Sequence, residues 1–279
     1  MNKFIIVGAL LTLGVVGIAI WVFWPAPSGP AVVPSEPTAM TPEVTATSTQ
    51  SVIGMSVQGR PIETYTFGTG GTDLLFVGGI HGGYEANTVR LANAMIEELQ
   101  LDSSIIPESI TVHIIPNLNP DGYFLPVTAS AQNRRFNANA IDLNRNFDCR
   151  WQPESSWRSA VVSAGSAAFS EPEAAALRDY VQLVNPNAAI FWHSIGNAVY
   201  TSECGAGVLG ATELLMNTYA LAANYEAAGL WTTYQITGDA EGWLASLGIP
   251  AVTVELETRE SIEWERNWAG VRATLELYR

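Results

Sequence analysis

Leu74-Leu75-Phe76-Val77-Gly78-Gly79-Ile80-His81-Gly82-Gly83-Tyr84-Glu85 is the stretch on which the reading of the fold turns. An apolar run of strand length ends in glycines, then presents a histidine and a glutamate. A helical pattern follows from Thr88 to Gln100, with Leu91, Met95 and Leu99 on one face. Strands buried on both faces read as continuous Leu, Phe, Val and Ile, and ligands gather at their carboxyl ends, where the chain turns into the next helix.

Working outward, the same grammar repeats. Val52 to Thr66 alternates as a hairpin with Gly59 in its turn, and Ser109 to Ile115 reads as a strand leading into a long Asn-, Pro- and Gly-rich segment, Pro116 to Asn139. Loops of that length in compact domains are usually functional. Ser170-Glu171-Pro172-Glu173 starts a helix, with a serine cap and proline in the first turn, that runs to about Val184. Ala188 to Trp192 is a short buried strand ending in His193. We expect a helix over Ala211 to Ala228, a strand over Leu230 to Gln235, a helix over Asp239 to Leu247, a strand over Ala251 to Leu256 and a last helix from Asn267 to Tyr278. This alternation predicts an α/β fold: a mixed, mostly parallel central sheet with helices on both faces.

Residues 1–50 are different. Lys3 precedes an uncharged apolar run from Phe4 to Trp24, long enough to cross a bilayer as a helix. There is no clean small-x-small cleavage site, and Trp21 and Trp24 suit an interfacial belt. Residues 1–24 are therefore expected to be a retained membrane anchor that leaves the rest outside the cytoplasm, with secretion after signal cleavage as the alternative. Residues 25–50, rich in Pro, Ser and Thr, read as a disordered linker, and 51–279 as a single monomeric catalytic domain.

Charge and composition narrow the chemistry. With 27 acidic against 13 basic residues the net charge is −14, which disfavours nucleic acid as a partner. Lys3 is the only lysine, so a lysine nucleophile, Schiff base or P-loop is impossible beyond it, and no Gly-x-Ser-x-Gly elbow is present. Of three histidines, His113 lies inside a strand and reads as a core residue, whereas His81 and His193 each follow a buried strand. Two histidines and a carboxylate leave zinc an open position for a water whose pKa falls to about 7, the arrangement of a hydrolytic site.

Several motifs in one order resemble the zinc carboxypeptidases of the M14 type. Ile53 to Ile62 is similar to the family's first strands, and Gly79-Ile80-His81 to its first ligand segment. Asn117-Leu118-Asn119-Pro120-Asp121-Gly122-Tyr123 resembles its Asn-Pro-Asp-Gly loop, and Asp142-Leu143-Asn144-Arg145-Asn146-Phe147 its Asp-x-Asn-Arg-Asn block. Phe191-Trp192-His193-Ser194 resembles the third-ligand strand, and Val252-Thr253-Val254-Glu255-Leu256 the strand of the catalytic glutamate. The resemblance implies one zinc per chain on His81, Glu85 and His193, and Glu255 as the acid–base residue. Arg135, or the adjacent Arg134, would stabilise the oxyanion; Asn144 and Arg145 would clamp a substrate carboxylate; and Tyr234 would cap it. Tyr234 read without the resemblance is a strand-end core aromatic, and Glu255 a strand-end surface acid.

Glu241, seven residues after Tyr234, falls where the family selects the terminal side chain. A preference for a basic residue or for diaminopimelate follows, with a surface acid on a helix as the alternative. Cys149 follows the Asn-Arg-Asn block and Cys204 the His193 strand, segments that the resemblance brings together at the zinc, so a disulfide is expected; two buried free thiols are the alternative.

The sequence departs from the family in three ways. His81 and Glu85 are separated by one residue more than usual, which two glycines could absorb in a bulge. Trp192 replaces an aspartate that often precedes the last ligand, so the usual partner of that histidine is in question. The domain is also short. The implied activity is removal of the carboxyl-terminal residue from peptides. The alternatives are a murein peptide amidase or endopeptidase cutting γ-D-glutamyl-diaminopimelate bonds, and an inactive peptide- or wall-binding module.

Overall fold

Alternate residues of a strand face opposite sides of its sheet, and in this protein both sides are apolar. Leu74, Phe76, Ile190, Trp192, Val252 and Val254 enter one buried cluster, while Leu75, Val77, Ala189, Phe191 and Ala251 enter another. Two faces that both need burial require helices on each, and the computed structural model, which describes residues 48–279, shows them. Each large side chain wholly removed from water, such as Phe76, contributes roughly 1.5–3 kcal/mol.

The chain runs β1 (Thr49–Met55), β2 (Pro61–Gly68), β3 (Thr72–Val77), a 3-10 turn (Gly82–Glu85), α1 (Ala86–Leu101), β4 (Ile110–Ile115), α2 (Pro120–Tyr123) and α3 (Ala131–Arg135). A 3-10 turn (Leu143–Arg145), a small hairpin of β5 (Glu154–Trp157) and β6 (Ala160–Ser163), and α4 (Pro172–Val184) follow. Then come β7 (Ala188–Ser194), β8 (Ala198–Thr201), α5 (Gly210–Ala223), β9 (Glu226–Leu230), α6 (Ala240–Ser246), β10 (Ala251–Leu256) and α7 (Trp264–Leu277). Eight strands form one sheet in the order β1-β2-β4-β3-β7-β10-β8-β9. The central run β4-β3-β7-β10 is parallel and β8-β9 is also parallel, while β1-β2, β2-β4 and β10-β8 are antiparallel, so the mixed, mostly parallel sheet is as expected. Side chains of α1, α5 and α7 fill the first cluster; α4 and α6 cover the other face.

Differences from the sequence reading have local causes. Helix α5 stops at Ala223, short of the expected Ala228, because Asn224 adopts a left-handed conformation (φ 53°) and its N–H bonds back to Ala220 and Leu221. The following strand is consequently Glu226–Leu230 rather than Leu230–Gln235. Ser170 does not cap α4: the position belongs to Glu171, and the Ser170 hydroxyl instead donates to Glu171 Oε1. The first strand begins at Thr49, inside what reads as linker. The apolar run of residues 4–24 and most of the 25–50 segment lie outside the described residues; among the described residues no helix is long and apolar enough to cross a membrane.

Candidate active site

The parallel register places the chemistry. Glu255 of β10 lies directly opposite His193 of β7, both on the face covered by α6, and β3 reaches the same edge of the sheet before the turn that carries His81 and Glu85. The extra residue between those two is absorbed by the 3-10 turn rather than by a strand bulge. Gly82 makes it possible: its φ is +47°, and a Cβ there would come within 2.9 Å of the backbone of Arg134, Gly122 and Tyr123.

Three donor atoms meet at this edge. His81 Nδ1 and Glu85 Oε2 are 3.0 Å apart, His193 Nδ1 and Glu85 Oε2 3.2 Å, and the two Nδ1 atoms 3.1 Å. All three residues are buried, and Glu85 Oε2 accepts no well-aligned hydrogen bond among the described residues despite its neighbours. Two tetrahedral ligands each about 2.0–2.1 Å from one zinc stand about 3.3 Å apart, so this triangle fits one face of a tetrahedral site. Glu85 thus reaches the position that its extra residue put in question.

The surrounding groups orient these donors. His81 Nε2 lies 3.6 Å from Asp142 Oδ1, and Asp142 Oδ2 accepts from Arg135 Nε at 2.9 Å. His193 Nε2 lies 3.1 Å from Glu241 Oε1, which also accepts from Thr253 Oγ1 at 3.0 Å. Trp192 points to the opposite face and donates to Tyr219 Oη, so it has no part in holding His193. Glu241 is not the helix-surface acid of the alternative reading: it is 2% exposed, and the oxygen it brings to His193 is engaged twice.

Ionisation follows from these contacts. In the metal-free protein burial opposes charge on His193, but Glu241 and Glu85 outweigh it and raise its pKa to about 10. Burial likewise opposes charge on Glu85, yet His81 and His193 hold it well below the usual carboxylate range. Asp142 is held low against burial by Arg135 and His81. Glu255 goes the other way: burial and the Glu85 carboxylate push it up to about 7, and its Oε2 is buried without a hydrogen-bond partner among the described residues. A glutamate poised near neutrality beside a metal triangle suits proton transfer.

A cleft of about 730 Å³ opens over the triangle, lined among others by Arg135, Asn144, Arg145, Tyr234, Glu241 and Glu255. Arg135 lies over the Trp157 ring at 4.7 Å with Nη1 3.6 Å from Glu85 Oε1, whereas Arg134 turns its guanidinium to the Gly83 carbonyl and does not line the cleft. Arg145 donates through Nε and Nη2 to the Ser156 carbonyl at 3.1 and 2.9 Å, and Asn144 Oδ1 accepts from Ala240 N–H at 2.8 Å. Gly238, at φ +70°, lets the chain pass where a Cβ would be 2.1 Å from the Arg145 carbonyl. Tyr234 is half-buried, edge-on to Trp231, in the cleft wall formed by the segment expected to be strand. Cys149 and Cys204 are joined by a disulfide, Cα–Cα 5.7 Å. His113 is a satisfied core residue, between Tyr180 Oη at 2.7 Å and Asp73 Oδ1 at 2.8 Å.

A family model described as zinc carboxypeptidase matches residues 39–264. The chain belongs to this family. Among its relatives, murein peptide amidase A of Escherichia coli K12 is 26% identical over 214 residues, spanning 72% of this chain and 78% of that one. Bacteriocin BCN5 of Clostridium perfringens is 31% identical over 149 residues, 50% of this chain but only 16% of its own length. Among solved structures, carboxypeptidase A of Helicoverpa armigera superposes with a TM-score of 0.71 at 21% identity, covering 82% of this chain and 68% of that one. That likeness establishes the fold. The residues our sequence reading left without a role, Asp142, Trp157 and Arg259, are all in or against the site; only Asp142, inside the Asp-x-Asn-Arg-Asn block, carried a local signal.

Proposed function

We propose that the protein is a zinc-dependent metallocarboxypeptidase that removes the carboxyl-terminal residue of peptides outside the cytoplasm. The observation that carries this reading is the buried His81–Glu85–His193 triangle with Glu255 opposite His193. A zinc ion held there supplies a Lewis acid for the scissile carbonyl and acidifies a water. Glu255 takes the proton of the attacking water and returns it to the leaving amine. Arg135, fixed by Asp142 and by the face of Trp157, donates to the carbonyl oxygen as negative charge develops there. Arg145 and Asn144 bind the terminal carboxylate, and Tyr234 closes over it. The disulfide supports an extracytoplasmic setting.

A second reading, a murein peptide amidase cutting γ-D-glutamyl-diaminopimelate bonds, is favoured by one observation: the match to the E. coli amidase spans 78% of that protein. Digestion of linear peptides, with free and with amidated termini, alongside purified muropeptides separates the two. Release of the terminal residue from free-ended linear peptides alone supports the carboxypeptidase; cleavage of muropeptides alone supports the amidase. Cleavage of neither, by zinc-loaded protein, refutes both.

A further inference from the structure

Among the described residues six arginines are ion-paired: Arg60, Arg135, Arg150, Arg178, Arg266 and Arg279. In a chain with 27 acidic residues against 13 basic ones, an arginine without an acidic partner is not short of candidates. Three of the unpaired ones, Arg145, Arg158 and Arg259, line the cleft. Arg145 is accounted for by the terminal carboxylate. Arg259 is not.

Arg259 is built into its place. Its guanidinium lies 4.1 Å over the Tyr84 ring, and Nη2 donates to Tyr84 Oη at 2.9 Å and to the Ser194 carbonyl at 3.4 Å. Tyr84 precedes the donor Glu85, and Ser194 follows the donor His193. The loop carrying Arg259 is tied to α1, with Asn87 Nδ2 donating to the carbonyls of Thr258 and Ser261 and Arg90 Nη2 to that of Glu260. Nε of Arg259 is buried with no partner, and Nη1 makes no hydrogen bond among the described residues. A partly buried cation with unused donors is costly unless an anion completes it.

We infer that Arg259 binds a second substrate carboxylate, carried by the residue that supplies the scissile carbonyl. This rests on the hydrolytic reading above. A terminal residue held by Asn144 and Arg145 puts its scissile carbonyl at the metal donors, and Arg259, packed on the neighbours of two of those donors, meets the residue on the acyl side. The substrate class is a peptide with a glutamyl residue, α- or γ-linked, before the residue released.

The test uses the zinc-loaded full chain and N-acetyl peptides ending in alanine, with α-linked glutamate, γ-linked glutamate or glutamine before it, and one peptide with glutamate only at the terminus. The wild type is expected to favour a penultimate glutamyl over glutamine by on the order of tenfold to a hundredfold in kcat/KM. Arg259→Gln should erase that ratio by slowing the glutamyl substrates by that factor more than the glutamine one, and Arg259→Lys should keep part of it. No preference in the wild type, equal losses on both classes, or a preference that follows only terminal glutamate overturns the inference. Calorimetric binding of the same peptides to Glu255→Gln and Glu255→Gln/Arg259→Gln reads the subsite without turnover. Tighter glutamyl binding lost with Arg259 upholds the subsite even if no peptide is hydrolysed, and equal binding of both classes refutes it.

Discussion

Replacing Glu241 tests how the site holds its last ligand. Its carboxylate is 2% exposed and contacts His193 Nε2 at 3.1 Å and Thr253 Oγ1 at 3.0 Å, and among the described residues no other acid is that close to that ring nitrogen. Glutamine keeps the shape and one acceptor but removes the charge that raises the basicity of the ligating imidazole. Loss of such a partner costs 10–100-fold in metal affinity, about 1.4–2.7 kcal/mol. Glu241→Ala also leaves the buried Nε2–H unpaired, adding about 1–3 kcal/mol, divided between metal affinity and fold stability. Zinc dissociation constants from competition with a fluorescent chelator at fixed pH, with circular dichroism as a check on folding, measure this directly. Kinetics on Arg- and Leu-terminated peptides provide the contrast: an orienting role moves zinc affinity and leaves the ratio between the two substrates unchanged. Zinc affinity within threefold of wild type in both variants, or a collapse of the Arg/Leu ratio in Glu241→Gln, would refute the reasoning.

Three further outcomes follow from the same geometry. Glu255 must be ionised to act as a base and its pKa is raised to about 7 by burial and Glu85; a bound dication offsets part of that rise, so kcat/KM should fall tenfold per pH unit on an acid limb between about pH 5 and 7. A flat profile between pH 5 and 7.5 contradicts this. His193, with a pKa of about 10 in the metal-free protein, is protonated at pH 8 and must be neutral to ligate, so zinc binding should release close to one proton from it; calorimetry in buffers of different ionisation enthalpy counts it, and no release contradicts the assignment. The Cys149–Cys204 link closes a loop with a sequence separation of 55, so Cys149→Ser/Cys204→Ser should lose about 2–4 kcal/mol in denaturant unfolding, and an unchanged midpoint would show that it contributes nothing.

How much of this could be read from the sequence depends on how local each signal is. The strands β3, β7 and β10 are near-continuous apolar runs, so their existence, their parallel company and the histidines at two of their ends were legible. The end of α5 was not, because Ala227 and Ala228 favour a helix and the left-handed turn at Asn224 wins against them. The hairpin β5–β6 is short and mostly polar, yet it supplies Trp157 beneath Arg135 and the Ser156 carbonyl that fixes Arg145. Long-range pairings that no motif carries were out of reach. Glu241 and His193 are 48 residues apart, and Tyr84 and Arg259 are 175 apart; only the folded sheet edge brings them together.

The central claim is that one zinc on His81, Glu85 and His193 works with Glu255 to hydrolyse a peptide bond. Its most direct test is the rate of release of a terminal residue by wild type and Glu255→Gln at equal zinc occupancy. We predict one zinc per chain in both and a rate about 10²–10⁴-fold lower in the variant. Purified protein that takes up no zinc, or a Glu255→Gln variant that keeps the wild-type rate, would contradict it.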